Sequence, residues 1–193
     1  MKANSALVVT VSPEDMVDLA GEGPLRGVDW QAQMERRAAY MGGGNLVAPA
    51  QRVTDFLMGV LSEDPLPSSS YKLGVKSAPL HDLYPPFVTD ALRNAIHKFN
   101  RTMPGFISPG CCPILYLHHP TMLTFLDALL HGVETRTSAP VQITRCSDSL
   151  ESCSLPGLHP AGEGAGYAGG IVSAAVDGMR VSEALIRKIR DSI

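Results

Sequence analysis

The residues in this chain best suited to binding chemistry lie near its end, in Pro160-Ala161-Gly162-Glu163-Gly164-Ala165-Gly166-Tyr167-Ala168-Gly169-Gly170, followed by the apolar-periodic segment Ile171 to Ile189. Glycine has no Cβ, so it admits positive φ and lets a ligand approach its N–H. A helix start adds unpaired N–H donors with a partial positive charge. Together these features favour an anionic or phosphate-bearing ligand. The same glycines also serve tight turns and close helix packing, and Glu163 is the one carboxylate among them. Glu134 and Arg136 form a second candidate. On a strand they share a face, with Thr135 and Thr137 on the other, and either pair with each other or aim Arg136 at an acidic ligand. Cys111, Cys112, His118 and His119 are metal-ligating types. Directly adjacent pairs are poorly placed to reach one tetrahedral ion, so no metal site is expected. His81, His97, His131 and His159 are scattered and read as surface or satisfied core residues, and no Ser-His-Asp set or H-E-x-x-H is present.

These groups sit in a chain of 193 residues that is 45% hydrophobic, a composition that supports one or two compact units. A net charge of −3 and the lack of any dense Lys/Arg block speak against a nucleic-acid surface. The apolar run Ala6 to Val11 has the length of a strand, short of a signal-peptide core or a membrane span, so a soluble intracellular protein without a targeting peptide is expected. Cys146 and Cys153 complete four cysteines, and reduced thiols are the default.

The elements that must position the candidates follow from periodicity. Ser5 to Val11 reads as a buried strand rich in β-branched residues. Asp29 can cap a helix running to about Met41 and stopped by Gly42-Gly43-Gly44. A short helix fits Pro49 to Gly59, and Ser62 to Ser70 reads as a polar, Pro-rich linker or loop. Pro86 opens an amphipathic helix to about Arg101. Leu129 to Thr137 and Val141 to Arg145 are strand candidates for a hairpin, and Gly157 to Ala161 delivers an extended chain to the glycine loop. The last helix places Ile171, Ala174, Ala175, Gly178, Leu185 and Ile189 along one side, with Arg187, Lys188 and Arg190 at its negative C-terminal end. Gly178 inside it suggests close helix–backbone contact. The segment from Pro109 to Leu126 follows neither a helical nor a strand period.

The motifs Glu134-Thr135-Arg136-Thr137-Ser138-Ala139-Pro140, Pro156 through Gly170, and Ser173-Ala174-Ala175-Val176-Asp177-Gly178 resemble the C-terminal half of a family of uncharacterised FAD-dependent dehydrogenases, NAD(P)/FAD-dependent oxidoreductases of bacteria and plastid-bearing organisms. Asn4 to Val9, Glu35-Arg36-Arg37-Ala38, Gly42-Gly43-Gly44, Ala48 to Val53 and Ser70-Tyr71-Lys72-Leu73-Gly74 are similar to the same family. The resemblance implies an α+β fold, with a substrate or cap domain over 1–155 and a strand-loop-helix over 156–193 that completes a Rossmann-like FAD-binding domain. It implies FAD as cofactor, hydride transfer to or from a small-molecule substrate, and a cytoplasmic or plastid location. Glu163 would accept a hydrogen bond from the ribityl hydroxyls. Gly164, Gly166, Tyr167, Ala168, Gly169, Gly170 and Ile171 would supply the adjoining backbone toward the flavin, with Tyr167 closing over it or packing on the sheet, and Arg136 would lie near it if not paired with Glu134. Two departures stand out. The family's opening G-x-G-x-x-G Rossmann half has no counterpart here, so the chain is expected to be incomplete as an enzyme by itself. The 109–126 segment reads as an insertion, either a retained intron or gene-model error, or a lineage-specific loop. The alternative is a non-catalytic interaction module, or a truncated product, that docks to a flavoprotein chain.

Overall fold

A computed structural model describes residues 5–16, 23–63, 65–104, 106–107 and 128–192. The 109–126 segment, with Cys111, Cys112, His118 and His119, lies outside the described residues. The fold is α+β. Its named elements are α1 (Arg26–Gly42), β1 (Ala48–Arg52), α2 (Val53–Met58), β2 (Val75–Ser77), α3 (Pro86–Thr102), β3 (Leu129–His131) and α4 (Ile171–Arg190). Short 3-10 turns occupy Pro13–Met16 and Leu80–Asp82. The chain divides into two compact units, one of residues 1–11 and 33–134, the other of residues 12–32 and 135–193.

The first unit is built on a three-stranded sheet in the order β2-β1-β3. The central strand pairs in parallel with β2 (Ala48↔Val75, Ala50↔Ser77) and antiparallel with β3 (Ala50↔His131, Arg52↔Leu129). The expected helix from Pro49 therefore begins only at Val53. Pro49, which fits the first turn of a helix, also fits a strand here because its carbonyl accepts the Gly132 N–H at 2.9 Å and its missing donor is not needed. Packing against two neighbours overrides a weak local preference. The α2 helix ends at Gly59, whose φ of 71° supplies the left-handed cap.

Beside this sheet the buried residues Ala38, Val53, Phe56, Leu80, Leu83 and Ile96 form one apolar cluster. Leu92 and Tyr84 pack at its edge. The α3 helix begins at Pro86, as its N1 proline predicts. The α1 helix starts three residues before Asp29, which sits in its first turn instead of capping it, and it ends on Gly42 before Gly43 and Gly44, both with positive φ. Of the two readings of the Pro-rich stretch after α2, linker or loop, the described residues form a loop, docked at Ser62, Glu63 and Pro65. Buried Ser62 accepts the Arg52 N–H at 2.8 Å and donates to Asp55 at 2.6 Å, while the Arg52 guanidinium donates to the Glu63 and Pro65 carbonyls, each at 2.6 Å. The expected N-terminal strand does not form. Residues 5–11 make no ladder and Val8 is 63% exposed, although Leu7 packs on the core cluster. An apolar run becomes a strand only where an edge is free to pair with it.

Candidate functional site

The glycine loop and the elements that hold it lie in the second unit. The expected hairpin is absent there: the antiparallel partner of residues 129–131 is β1, and no ladder runs through 132–137, so no strand alternation sets the faces of Glu134 and Arg136. Residues 141–145 instead run beside the loop. The Ile143 N–H donates to the Ala165 carbonyl at 3.1 Å, the Gln142 side chain to the Gly166 carbonyl at 3.1 Å, and the Tyr167 hydroxyl to the Ile143 carbonyl at 2.9 Å. Arg145 then pairs with Ser152 in an isolated bridge. The extended piece 158–161 enters the loop without a ladder of its own.

The loop is a compact turn. The Gly166 N–H reaches the Glu163 carbonyl at 2.9 Å and the Tyr167 N–H reaches Gly162 at 3.0 Å. Gly166 has φ 81°, and a Cβ there would strike the Val141 carbonyl oxygen, so glycine is required by both conformation and space. Gly164 and Gly169 differ: neither has a positive φ, and a Cβ on either would meet nothing within 4 Å. Those two glycines present backbone to open space. Glu163 is half-buried, and its side chain has no hydrogen-bond partner among the described residues.

Beneath the loop lies a polar knot that sequence reasoning did not single out. Arg145 forms a two-pronged pair with Asp177 on α4, at 2.6 and 3.0 Å, with both side chains about nine-tenths buried. Asp177 also accepts the Gly162 N–H at 2.8 Å, Arg145 donates to the Pro160 carbonyl at 2.7 Å, and its guanidinium lies 3.6 Å from the centre of the Tyr167 ring. The arginine hydrogen bonds hold the Asp177 carboxyl below its usual range against the opposing cost of burial, and the Gly162 N–H adds to the effect. A second tie comes from Glu151, which accepts the Gly157 N–H at 2.6 Å and pairs with Lys188 at 2.6 Å. Lys188 and the Gly157 N–H hold the Glu151 carboxyl low. His159, at the loop entrance, is not the satisfied residue expected: both ring nitrogens are buried without a partner among the described residues.

Asp177 also shows why the expected apolar stripe of α4 is displaced. The buried positions are Asp177, Val181 and Ala184, whereas Ile171 is 92% exposed and Leu185 and Ile189 face outward. Gly178 meets nothing within 4 Å, so no close backbone contact explains it. On the side opposite the buried face, Val172, Val176, Met179 and Ile186 form an exposed apolar stripe at helical spacing. At the helix start, Ser173 closes on Gly170, donating to its carbonyl at 2.9 Å and accepting its N–H at 3.1 Å. The first helical bond runs from the Ala174 N–H to Gly170, which leaves the N–H groups of Ile171 to Ser173 as helix-end donors.

The site thus combines open glycine backbone, helix-end donors and one uncommitted carboxylate. Among the described residues no group of three or more His, Cys, Asp or Glu could hold a metal, and no helix is long and apolar enough to cross a membrane.

The family FAD-dependent protein, C-terminal domain-like, matches residues 1–113. An uncharacterized protein of Clostridium beijerinckii is 44% identical over 189 residues, a region that is 96% of this chain and 31% of the relative. The chain belongs to the FAD-dependent protein C-terminal family, and it spans about a third of the length of the curated relative it matches.

Proposed function

We propose that this chain is the C-terminal portion of a FAD-dependent oxidoreductase and that its glycine loop and the start of α4 supply part of the flavin site. The observation that carries the reading is the open backbone at Gly164 and Gly169 beside the uncommitted Glu163 carboxylate, in a chain of a FAD-dependent family. FAD, when bound, supplies the capacity to take up and release a hydride. The chain's own contribution is recognition and electrostatics. Glu163 accepts a hydrogen bond from a ligand hydroxyl, Gly164 and Gly169 let the ligand lie against backbone, and the Ile171 end of α4 stabilises negative charge. Gly166, Tyr167, Ala168 and Gly170 keep this backbone in place, and the Arg145–Asp177 knot fixes the turn below it. Half of the framework that binds the cofactor lies outside this chain, so the chain alone is expected to hold FAD weakly or not at all.

The test is to purify the chain with FAD, alone and together with the remaining, separately expressed portion of the Clostridium relative, and to record the flavin absorbance. The expected result is no stoichiometric yellow complex for the chain alone, a retained flavin for the pair, and about tenfold weaker retention with Glu163→Gln. A yellow chain by itself would overturn the incompleteness, and a colourless pair would overturn the flavin role.

A second reading, a non-catalytic module that docks to a flavoprotein chain, is favoured by the exposed stripe of Val172, Val176, Met179 and Ile186. It predicts association with the relative's remaining portion that survives Glu163→Gln and is lost on Met179→Glu. The two readings separate on whether the associated pair holds flavin.

A further inference from the structure

The first unit carries a cleft that the flavin reading does not use. It is an open cleft of about 450 Å³, lined from α1, the 3-10 turn at Leu80–Asp82 and the start of α3. His81 forms part of its wall, and its ring is oriented from behind by a fully buried glutamine. The Gln51 amide nitrogen donates to the Val60 carbonyl at 2.6 Å and to His81 Nδ1 at 2.9 Å, while its oxygen accepts the His81 N–H at 3.3 Å. Turning the amide over would set oxygen against oxygen at Val60, so this arrangement fixes Nδ1 as an acceptor. The proton then sits on Nε2. Thr89 adds a bond from its hydroxyl to the His81 carbonyl at 3.2 Å. The buried amide is thus fully hydrogen-bonded, and it holds the imidazole ring in one orientation.

Other donors converge on the same cleft. Tyr84 lines it, and burial pushes its hydroxyl up to about 12, which keeps the phenol protonated. Arg93 is held at its Nε by the Phe56 carbonyl at 3.3 Å, and Arg37 reaches the cleft from α1 without an ion-pair partner among the described residues. Two carboxylates are also present. Asp82 lies 3.7 Å from His81 Nε2 and Asp90 lies 3.6 Å from an Arg93 nitrogen, and both are about two-thirds exposed at the rim. With Arg93 beside Asp90, Arg37 is the lining cation left without an ion-pair partner among the described residues, and one such charge matches a singly charged ligand.

We propose that this cleft binds a small monocarboxylate, held by Arg37 and the Nε2–H of His81 with the Tyr84 phenol as a further donor. Every residue involved belongs to the first unit, so the site stands or falls separately from the flavin reading.

The probe is lactate, with neutral lactamide as its control, titrated into the full chain while the ring resonances of His81 are followed by NMR. Saturable shifts with lactate and none with lactamide are expected, and the ring nitrogen shifts should report the Nε2–H tautomer throughout. Arg37→Ala, a change at an exposed helix position, should weaken lactate about tenfold. Gln51→Leu should free the ring and mix its tautomers while weakening lactate several-fold. If lactate does not saturate in the millimolar range, if lactamide does the same, or if Arg37→Ala leaves the titration unchanged, the proposal is wrong.

Discussion

The two units of this chain are held together by different forces. The first closes around Phe56, Leu83 and Ile96, all essentially inaccessible to water, with its polar side-chain bonds, such as those of Gln51 and Ser62, set beside that core. The second places a charged pair, Arg145–Asp177, where the first has aromatic and aliphatic packing, and it leaves much of the apolar surface of α4 exposed. A region stabilised by non-directional burial tolerates loop variation around it. A region stabilised by a few directional polar bonds has one defined loop geometry and little in reserve. The second arrangement suits a site whose backbone must be in register with a ligand or with another polypeptide.

The sharpest way to test that contrast is to remove a centre from each unit. Phe56→Ala should cost about 3–5 kcal/mol, read from the denaturant midpoint, because it opens a cavity among residues that cannot collapse around it. A loss near 1 kcal/mol would mean the first unit does not depend on this core. Arg145→Met should cost about 3 kcal/mol because it strands the Asp177 carboxylate, and Arg145→Met with Asp177→Leu should recover most of that loss. If the single and double variants are equally unstable, the charges are not what makes the knot necessary.

The same pair predicts an acid signature. The folded Asp177 carboxyl is held below its ordinary value of 3.8 by Arg145, so its stabilisation is complete above that pH. The stabilisation is lost as the pH falls through that value toward the lower folded one. Arg145→Met should flatten this part of the stability curve, measured by thermal unfolding across the acid range. An unchanged slope would place the acid sensitivity elsewhere.

The smallest effects divide the glycines. Gly166→Ala should cost about 1–3 kcal/mol, because it forces a side chain into a left-handed conformation and against the Val141 carbonyl. Gly169→Ala should change stability by less than about 0.5 kcal/mol, since nothing lies near its missing Cβ. It should nevertheless weaken flavin retention in the assembled pair. Equal stability losses at the two positions would erase the distinction between structural and ligand-facing glycine.

Much of the helical structure was legible in the residues. Pro86 and the stripe from Val88 to Ile96 mark α3, the triple glycine ends α1, and the loop before α4 is where Gly162 to Gly170 place it. Pairing and facing were not legible. Ala48 to Arg52 carries no strand signal, yet it becomes the central strand because β2 and β3 supply partners on both sides. Ser5 to Val11 carries a strong strand signal and forms none. On α4, hydrophobicity pointed the wrong way, because the buried side is organised around Asp177 and the apolar side is left outward. The one available clue was a carboxylate among the mostly apolar residues of the first turns of α4, with an arginine about thirty residues earlier. Spacing alone cannot join such distant residues.

The amino-acid sequence by itself determined the chemistry on offer: a glycine loop with one acid before a long helix, in a chain of FAD-dependent kinship. The tertiary structure decided which of those residues are committed and which are free. Gly166, Arg145 and Asp177 are spent on holding the turn, whereas Gly164 and Gly169 lie open and the half-buried Glu163 has no hydrogen-bond partner among the described residues. It also decided that the His81 ring is oriented by a buried glutamine thirty residues away. Residue type and local period limit what a side chain can do. Its engagement depends on partners brought together by the burial of other residues.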